Sequence, residues 1–325
     1  MTALDFPVIA FQIVFPIALL LLMLFAPAKT AFGFAIQSMA TALALLAVAL
    51  LPIWMIPPWW TPYVYGGCWL FIIAWKILMR RSQINRFAPL SLLGRAHSLG
   101  FAGLGVLAVV VSSDAVFGHF RPAGEIVDLP FPMPAGTYLV ANGGSTESVN
   151  GHFMTLVPQT ERQRAHRGQS FAVDLVKLDP IGVRAQGWRP SDPARYEIFG
   201  TFVYAPCDGT VLQAENSRPD MPVPEPDNES IIGNHVFIDC GDFGVLLAHF
   251  RHGSTLVRAG DSVVTGQMVG QVGNSGKTFE PHLHMHVQAL VSDAPLISGE
   301  PVHFTLDGKY LVRNQRIKHQ AKGAP

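Results

Sequence analysis

Long apolar blocks fill the first part of the chain, whereas the rest consists of short apolar segments separated by Gly, Pro, Asp and Asn. A helix needs about 20 mostly apolar residues to cross the hydrocarbon core of a bilayer. Four runs have this character, at approximately residues 8–25, 31–55, 62–78 and 99–117. The pattern predicts an N-terminal all-α transmembrane segment of about four helices within residues 1–120, with the lipid bilayer as a partner.

The short loops between these runs differ in charge, which predicts an orientation, because Lys and Arg in short loops stay in the cytoplasm. The loop between the second and third runs, PPWWTP, is uncharged. The other two loops are basic and carry Lys29, Arg80, Arg81, Arg86 and Arg95. We therefore expect a multi-pass protein of the cytoplasmic (inner) membrane with its C-terminal domain on the periplasmic or extracellular side.

After Phe117, the long apolar runs give way to shorter segments with Pro and Gly between them. A Pro-rich connector is predicted over residues 121–135, followed by short strand-like segments with turn signals over residues 136–300 and a C-terminal tail over residues 301–325. Strands of this length, bounded by Gly, Asp and Asn, are typical of antiparallel sheets. The sequence thus predicts an all-β soluble domain that follows the membrane segment.

Composition and charge narrow the classes of function. The chain has 23 Lys and Arg against 23 Asp and Glu, so that its formal net charge is zero. Nucleic-acid binders normally carry a basic excess that offsets phosphate charge, which argues against nucleic acid as a partner. Hydrophobic residues reach 49% and charged residues only 14%, and the charges are concentrated after Leu78. A purely soluble or a disordered protein is therefore excluded.

The three cysteines fall into two groups. Cys68 lies within a predicted span, whereas Cys207 and Cys240 lie in the domain that is expected outside the cytoplasm, where disulfides persist. If residues 203–213 and 233–240 form a hairpin, Cys207 and Cys240 come nearly opposite each other. The sequence leaves open whether they are bridged.

The arrangement of the histidines indicates metal chemistry. In PHLHMHV, the residues His282, His284 and His286 alternate along a predicted strand, so that their side chains share one face. Neutral imidazole is a preferred zinc ligand, although a polar solvent-facing strand without a metal is the alternative. In QSFAVDLV, Asp174 lies mid-strand between apolar neighbours, which is costly unless the carboxylate is paired or bound to a cation.

Further histidines occur in turn-rich surroundings or at strand ends. His249 closes the apolar run VLLAHF, and His152 and His166 lie upstream in NGHF and AHRG. Taken alone, a histidine in such a position is more often a structural residue than a catalyst.

Two longer segments carry a resemblance to a known family. They are GNHVFIDCGDFGVLLAHF and LVRAGDSVVTGQMVGQVGNSGKTFEPHLHMHV, together with YAPCDGTV and SFAVDLV. In this order they resemble the M23 (LytM or lysostaphin-like) zinc metallopeptidases, and the resemblance covers roughly residues 140–295. The GNSG…PHLH block is the specific part, whereas VRAGDSVVTGQMVG also resembles biotinyl and lipoyl hairpins. The resemblance implies a LytM-like antiparallel β fold, a Zn²⁺ cofactor and peptidoglycan peptides as substrate.

The resemblance also assigns roles to individual residues. It implies that Asp174 and His284 are zinc ligands, and that His249 and His282 are catalytic histidines that do not bind the metal. The family's frequent H-x-x-x-D ligand pair is absent here, because Ser170 stands four residues before Asp174. A subgroup takes this histidine from further upstream, and GGSTESVNGH with QSFAVD resembles that form. His152 is then the first ligand, with His166 as the alternative, and His286 supports the site or lines a groove.

We therefore expect a membrane-anchored zinc metalloendopeptidase that hydrolyses peptide bonds of peptidoglycan outside the cytoplasmic membrane. The alternative is a catalytically inactive M23-like domain that binds the cell wall or a partner protein as a scaffold or regulator. A third hypothesis is a transport or sensor subunit whose β-domain docks a partner, but the spans contain no mid-span charge of the kind that ion paths require. The sequence identifies no protein partner or activator.

Overall fold

The structure is a computed structural model that describes residues 5–80, 91–124, 126–292 and 295–320. The chain divides into two compact units, Met1–Val116 and Phe117–Pro325, which are described separately below. The first unit is helical and the second is built on β-strands, as the sequence predicts.

Four helices of the first unit are long and apolar enough to cross a membrane: Asp5–Phe25, Ala31–Leu50, Thr61–Met79 and Leu92–Phe117. The second helix is shorter than its predicted run because Pro52 has no N–H with which to continue the hydrogen-bond ladder. The fourth begins earlier than predicted, and the Ser91 hydroxyl accepts a hydrogen bond from the Gly94 amide in its first turn. The basic residues Arg81 and Arg86 lie outside the described residues.

Two polar contacts join the first and third helices. The Tyr65 hydroxyl donates to the Gln12 carbonyl at 2.8 Å, and the Lys76 ammonium donates to the Leu24 carbonyl at 2.5 Å. Positions 12 and 24 therefore pair with positions 65 and 76, so that the two helices run in the same direction. Alternate spans of a multi-pass segment with short loops have this relation.

The second unit contains an eight-stranded sheet with the strand order β12-β2-β3-β10-β7-β6-β5-β8, in which all neighbours are antiparallel. Two further pairs, parallel β1-β11 and antiparallel β4-β9, complete the unit. The strands are β1 Val127–Leu129, β2 Gly136–Asn142, β3 Val173–Leu178, β4 Phe202–Tyr204, β5 Gly209–Glu215, β6 Asn234–Asp239, β7 Gly244–Phe250, β8 Ser262–Val263, β9 Met268–Gln271, β10 Leu283–Gln288, β11 Phe304–Leu306 and β12 Arg316–His319.

Alternation along the central strands separates an apolar face from a polar face. On β3, Val173 and Leu175 belong to the main core, and on β10 Leu283 and Met285 join them. Because successive side chains of a strand point to opposite faces, the polar residues between them project from the other side of the sheet. The candidate site occupies that side.

Strands lie in both segments that flank the predicted peptidase domain. The predicted connector 121–135 contains β1, and the predicted tail 301–325 contains β11 and β12, which pair with β1 and β2. These strands have only three or four residues, too few for a periodic pattern. They form because distant segments supply their partners, and such pairing leaves no local signal.

A disulfide joins Cys207 to Cys240, with their Cα atoms 5.9 Å apart. The two cysteines flank the β5–β6 hairpin, where Thr210 pairs with Asp239. The possibility that the sequence left open is therefore realised. Cys68 is a free cysteine and is exposed on the third helix.

Candidate metal and catalytic site

Two side chains of the candidate site, those of Asp174 and His284, are direct neighbours in the sheet. Asp174 on β3 pairs with His284 on β10. Both are buried, and Nδ1 of His284 lies 2.9 Å from Oδ1 of Asp174. Strand pairing alone brings this carboxylate and this imidazole together across a separation of 110 residues.

A turn after β2 brings a second histidine to the same carboxylate. His152 lies in the 3₁₀ turn Gly151–Thr155, whose start is capped by the Asn150 side chain, which accepts from the His152 amide. Nε2 of His152 lies 2.9 Å from Oδ2 of Asp174. The His152 ring meets the His284 ring edge-on, with centroids 4.8 Å apart.

The three side chains form a donor set that fits zinc. His152, Asp174 and His284 each offer one ligand atom, and these atoms lie within 4.8 Å of one another. Two imidazoles and one carboxylate are a common protein ligand set for catalytic zinc. Of the two upstream histidines, the structure brings His152 to this cluster. His166 is elsewhere, with its Nδ1 2.5 Å from the Arg162 carbonyl.

Asp174 is also held by residues that the sequence did not indicate. The Asn142 amide nitrogen donates to Oδ2 of Asp174 at 2.8 Å, and Arg313 in turn donates to the Asn142 side-chain oxygen at 2.9 Å. Burial by itself raises the pKa of Asp174, but the neighbouring His152 and His282 hold it well below its usual range. Asp174 is therefore an anion in a buried position.

Two more histidines, His249 and His282, lie beside this cluster. Their ring centroids are 4.7 Å apart, and Nε2 of His282 lies 3.7 Å from Oδ1 of Asp174. His249 has a positive φ of 65° and is skipped by the β6–β7 register, in which Asn234 pairs with Phe250 and His235 with Ala248. A bulge of this kind re-aims a side chain, and backbone strain of this kind clusters at functional sites.

Both histidines are held by backbone carbonyls through the same ring nitrogen. Nδ1 of His249 donates to the Ser275 carbonyl at 2.8 Å, and Nδ1 of His282 donates to the Glu280 carbonyl at 2.9 Å. In the neutral form of either ring the proton is then on Nδ1, and Nε2 can accept a hydrogen bond. Burial lowers the pKa of His249 well below its usual range, with His282 and His284 acting in the same direction, so that this ring stays neutral.

A buried ion pair fixes the segment that precedes His282. Arg184 holds both carboxylate oxygens of Glu280, at 2.7 Å and 2.8 Å, and both side chains are buried. The Glu280 carbonyl is the acceptor for His282. The sequence shows no signal for this contact, because Arg184 lies in a loop 96 residues away from its partner.

The comparison with protein families identifies the core of this unit. Residues 195–303 match the family model of peptidase family M23. Residues 195–303 are a peptidase family M23 domain. This M23 domain contains His249, His282 and His284, whereas His152 and Asp174 precede the matched residues, and the sheet and the turn after β2 bring them to it.

One similar protein is the peptidoglycan DD-endopeptidase ShyA of Vibrio cholerae serotype O1, which is 27% identical over 154 residues. The match covers 45% of this chain and 27% of that protein, so that the chain spans about a quarter of its length.

Among solved structures, a putative M23 peptidase from Pseudomonas aeruginosa is 18% identical, with a TM-score of 0.27, covering 62% of this chain and 59% of that one. The catalytic domain of lysostaphin from Staphylococcus simulans is 22% identical, with a TM-score of 0.24, covering 36% and 65%.

Proposed function

We propose that this protein is a membrane-anchored zinc metalloendopeptidase that cuts peptide bonds of peptidoglycan outside the cytoplasmic membrane. The observation that carries the proposal is the meeting of the His152, Asp174 and His284 donors with two histidines that each present a free Nε2. The M23 domain and the similarity to a protein named as a peptidoglycan DD-endopeptidase support the same reaction and substrate.

His152, Asp174 and His284 would hold the zinc ion. When bound, zinc supplies a Lewis acid that polarises a carbonyl and lowers the pKa of a water molecule. The buried and ionised Asp174 offsets part of the charge of the cation, which favours binding in a site with little access to water.

His249 and His282 would handle the protons of the reaction. The Nε2 atom of one ring accepts a proton from the attacking water, and the positive charge that this ring gains stabilises the negative charge that develops on the scissile carbonyl oxygen. The proton then passes to the nitrogen of the leaving amine. Because each Nδ1 is held by a carbonyl, each ring keeps its direction while Nε2 gains and loses the proton.

The membrane segment and the disulfide support a placement of the peptidase domain outside the cytoplasm. Basic loops stay in the cytoplasm, and the disulfide between Cys207 and Cys240 suits an oxidising compartment. The four apolar helices would keep the peptidase at the surface of the membrane that faces the cell wall.

The test uses the full chain, purified in detergent and mixed with isolated cell-wall sacculi. We expect one zinc per chain, release of muropeptides, loss of activity with a chelator and recovery with zinc. His284→Ala should lose both zinc and activity. His282→Ala should keep zinc but lose activity by a factor of about 10² to 10⁴, which is the range for a general acid or base.

The matched control is His252→Ala, because His252 is an exposed loop histidine whose ring contacts the Arg218 carbonyl. Its activity should equal that of the unmodified chain. If the chain binds one zinc but releases no muropeptides, and His282→Ala changes nothing, the protein is the non-catalytic M23-like domain that binds cell wall or a partner.

A further inference from the structure

The third histidine of PHLHMHV heads a chain of hydrogen bonds that runs away from the proposed metal ligands. His286 is fully buried, and its Nδ1 lies 3.1 Å from Nε2 of His284. Its Nε2 lies 3.3 Å from Oε1 of Gln288, and Nε2 of Gln288 donates to the Leu296 carbonyl at 2.9 Å. His284, His286 and Gln288 stand on one face of β10, because they alternate along the strand.

The last hydrogen bond of this series, between Gln288 and Leu296, can be donated in only one direction. A carbonyl oxygen only accepts, so the Gln288 side chain must present its nitrogen to Leu296 and its oxygen to His286. The amide is also enclosed tightly, because a Cβ added at Gly168 would overlap Oε1 of Gln288, and one at Gly299 would lie 3.0 Å from its Nε2. This enclosure keeps the amide from turning over.

The fixed oxygen determines where the protons lie on the two imidazoles. Oε1 of Gln288 accepts, so Nε2 of His286 carries the proton. The fully buried His286 ring, whose nitrogens contact His284 and the uncharged Gln288 amide, is neutral, because an unpaired buried charge is costly. Nδ1 of His286 is therefore bare and accepts, so that Nε2 of His284 carries a proton and Nδ1 of His284 is left bare.

We propose that His286 and Gln288 are positioning residues that hold His284 in the tautomer whose free Nδ1 binds the metal. The Leu296 carbonyl is the anchor, and the order of donation runs from His284 through His286 to Gln288 and Leu296. The freed nitrogen is the one that lies 2.9 Å from Asp174 and therefore faces the donor set. This inference rests on the proposed zinc site.

His284 thus has the opposite tautomer to the two proposed catalytic histidines. His249 and His282 carry the proton on Nδ1, because carbonyls hold that atom, and present Nε2. His284 carries it on Nε2, because His286 holds that atom, and presents Nδ1. Metal binding therefore uses Nδ1 and proton transfer uses Nε2. The difference arises because the hydrogen-bond acceptor inside the protein lies beside a different ring atom in the two cases.

The test compares two substitutions at position 286 in the full chain in detergent. His286→Leu keeps an apolar side chain of similar size but removes the acceptor. His286→Gln retains an oxygen that accepts from His284 and an amide nitrogen that donates to Gln288. Zinc affinity is measured by competition with a chromophoric chelator, and long-range ¹H–¹⁵N spectra of the zinc-loaded, ¹⁵N-histidine-labelled chain report which nitrogen of His284 carries the proton.

We expect His286→Leu to weaken zinc binding by about ten- to a hundredfold and His286→Gln to restore most of the loss, because partners that orient a metal ligand have effects of this size. In the unmodified zinc-loaded chain, His284 should be protonated at Nε2. The matched control is His235→Leu, since His235 is a buried histidine on β6 whose Nδ1 contacts the Gly233 carbonyl. It should bind zinc as the unmodified chain does.

Each outcome bears on a different claim. Equal zinc affinity in the unmodified chain and in His286→Leu, or equal losses in the Leu and Gln variants, would overturn the positioning role while leaving the zinc site intact. Failure of the unmodified chain to bind zinc would overturn the proposed site itself, and this inference with it. Zinc binding that follows the expected order in a chain that cuts no sacculi would support the inference and reject the proposed catalysis.

Discussion

At the scale of single residues, the polar partners of each ring decide what that ring can do. The rings of His249 and His282 present Nε2 because an acceptor holds their Nδ1, whereas His284 presents Nδ1 because an acceptor holds its Nε2. The orientation of the Asp174 carboxylate also depends on a neighbour, because Asn142 donates a hydrogen bond to one of its oxygens. A metal site consists of its ligands and of the groups that orient them.

The contact between Asn142 and Asp174 leads to a prediction. Asn142→Ala removes the amide that donates to Oδ2 of Asp174 and leaves the oxygen free to turn. We expect zinc affinity to fall by about ten- to a hundredfold, as for other partners of metal ligands. Chelator competition on the full chain measures this change. The substitution Gln213→Ala, at an exposed position of β5, is the control and should leave the affinity as it is; an equal loss in both variants would refute the prediction.

At the scale of secondary structure, strand register and one bulge assemble the site. The β3–β10 register aligns Asp174 with His284, and the irregularity between β6 and β7 turns His249 out of the regular alternation. The predicted alternation of the histidines is confirmed for His284 and His286, which lie within β10. His282 stands just before this strand, where the loop fixed by the Arg184–Glu280 pair ends.

This buried ion pair gives a prediction at the same scale. Glu280→Gln leaves the Arg184 guanidinium buried without its counter-charge, which typically costs about 3–5 kcal/mol when one partner of such a pair is removed. We expect the C-terminal unit to unfold at a lower denaturant concentration. Peptidase activity should also fall, because the Glu280 carbonyl holds His282.

The chain offers a matched control in a second Arg–Glu pair, Arg167 with Glu300, whose carboxylate side chain is 66% exposed. Exposed pairs contribute about 0–1 kcal/mol. Glu300→Gln should therefore unfold at almost the same denaturant concentration as the unmodified chain. A comparable destabilisation by the two substitutions would show that burial of the Arg184–Glu280 pair has no special importance.

At the scale of the whole molecule, both ends of the second unit supply strands, and the C-terminal end also supplies a residue that supports the candidate site. The segment beyond residue 300 supplies β11 and β12 as well as Arg313, which orients Asn142 and, through it, Asp174. The segment before residue 136 supplies β1. The functional unit is therefore larger than the 195–303 match to family M23.

The orientation of the membrane segment is testable in living bacteria. Alkaline phosphatase folds only where its disulfides form, so a fusion after residue 320 should be active and a fusion after Lys29 inactive. The physical reason is the retention of basic loops in the cytoplasm. A green fluorescent protein fusion at each position is the complementary control and should give the reverse pattern. Activity at Lys29 and none after residue 320 would place the peptidase unit in the cytoplasm and contradict the proposed substrate.

Features that arise from local periodicity and local chemistry were predictable from the amino-acid sequence. Long uncharged runs predicted the four apolar helices, period-two alternation predicted the central strands, and the PHLHMHV motif predicted that His284 and His286 share one strand face. Such features can be predicted because a helix or strand that buries apolar side chains needs them at regular intervals, and this pattern is visible within a short stretch of sequence.

The contacts between residues far apart in the sequence became known only from the folded structure. It brought His152 rather than His166 to Asp174, joined Cys207 to Cys240, and recruited Arg313, Arg184 and Gln288 to orient the site. It also placed strands in the segments that the sequence predicted as connector and tail. Single hydrogen bonds and three-residue strands depend on partners far along the chain, and such a contact leaves no periodic trace in the residues on either side of it.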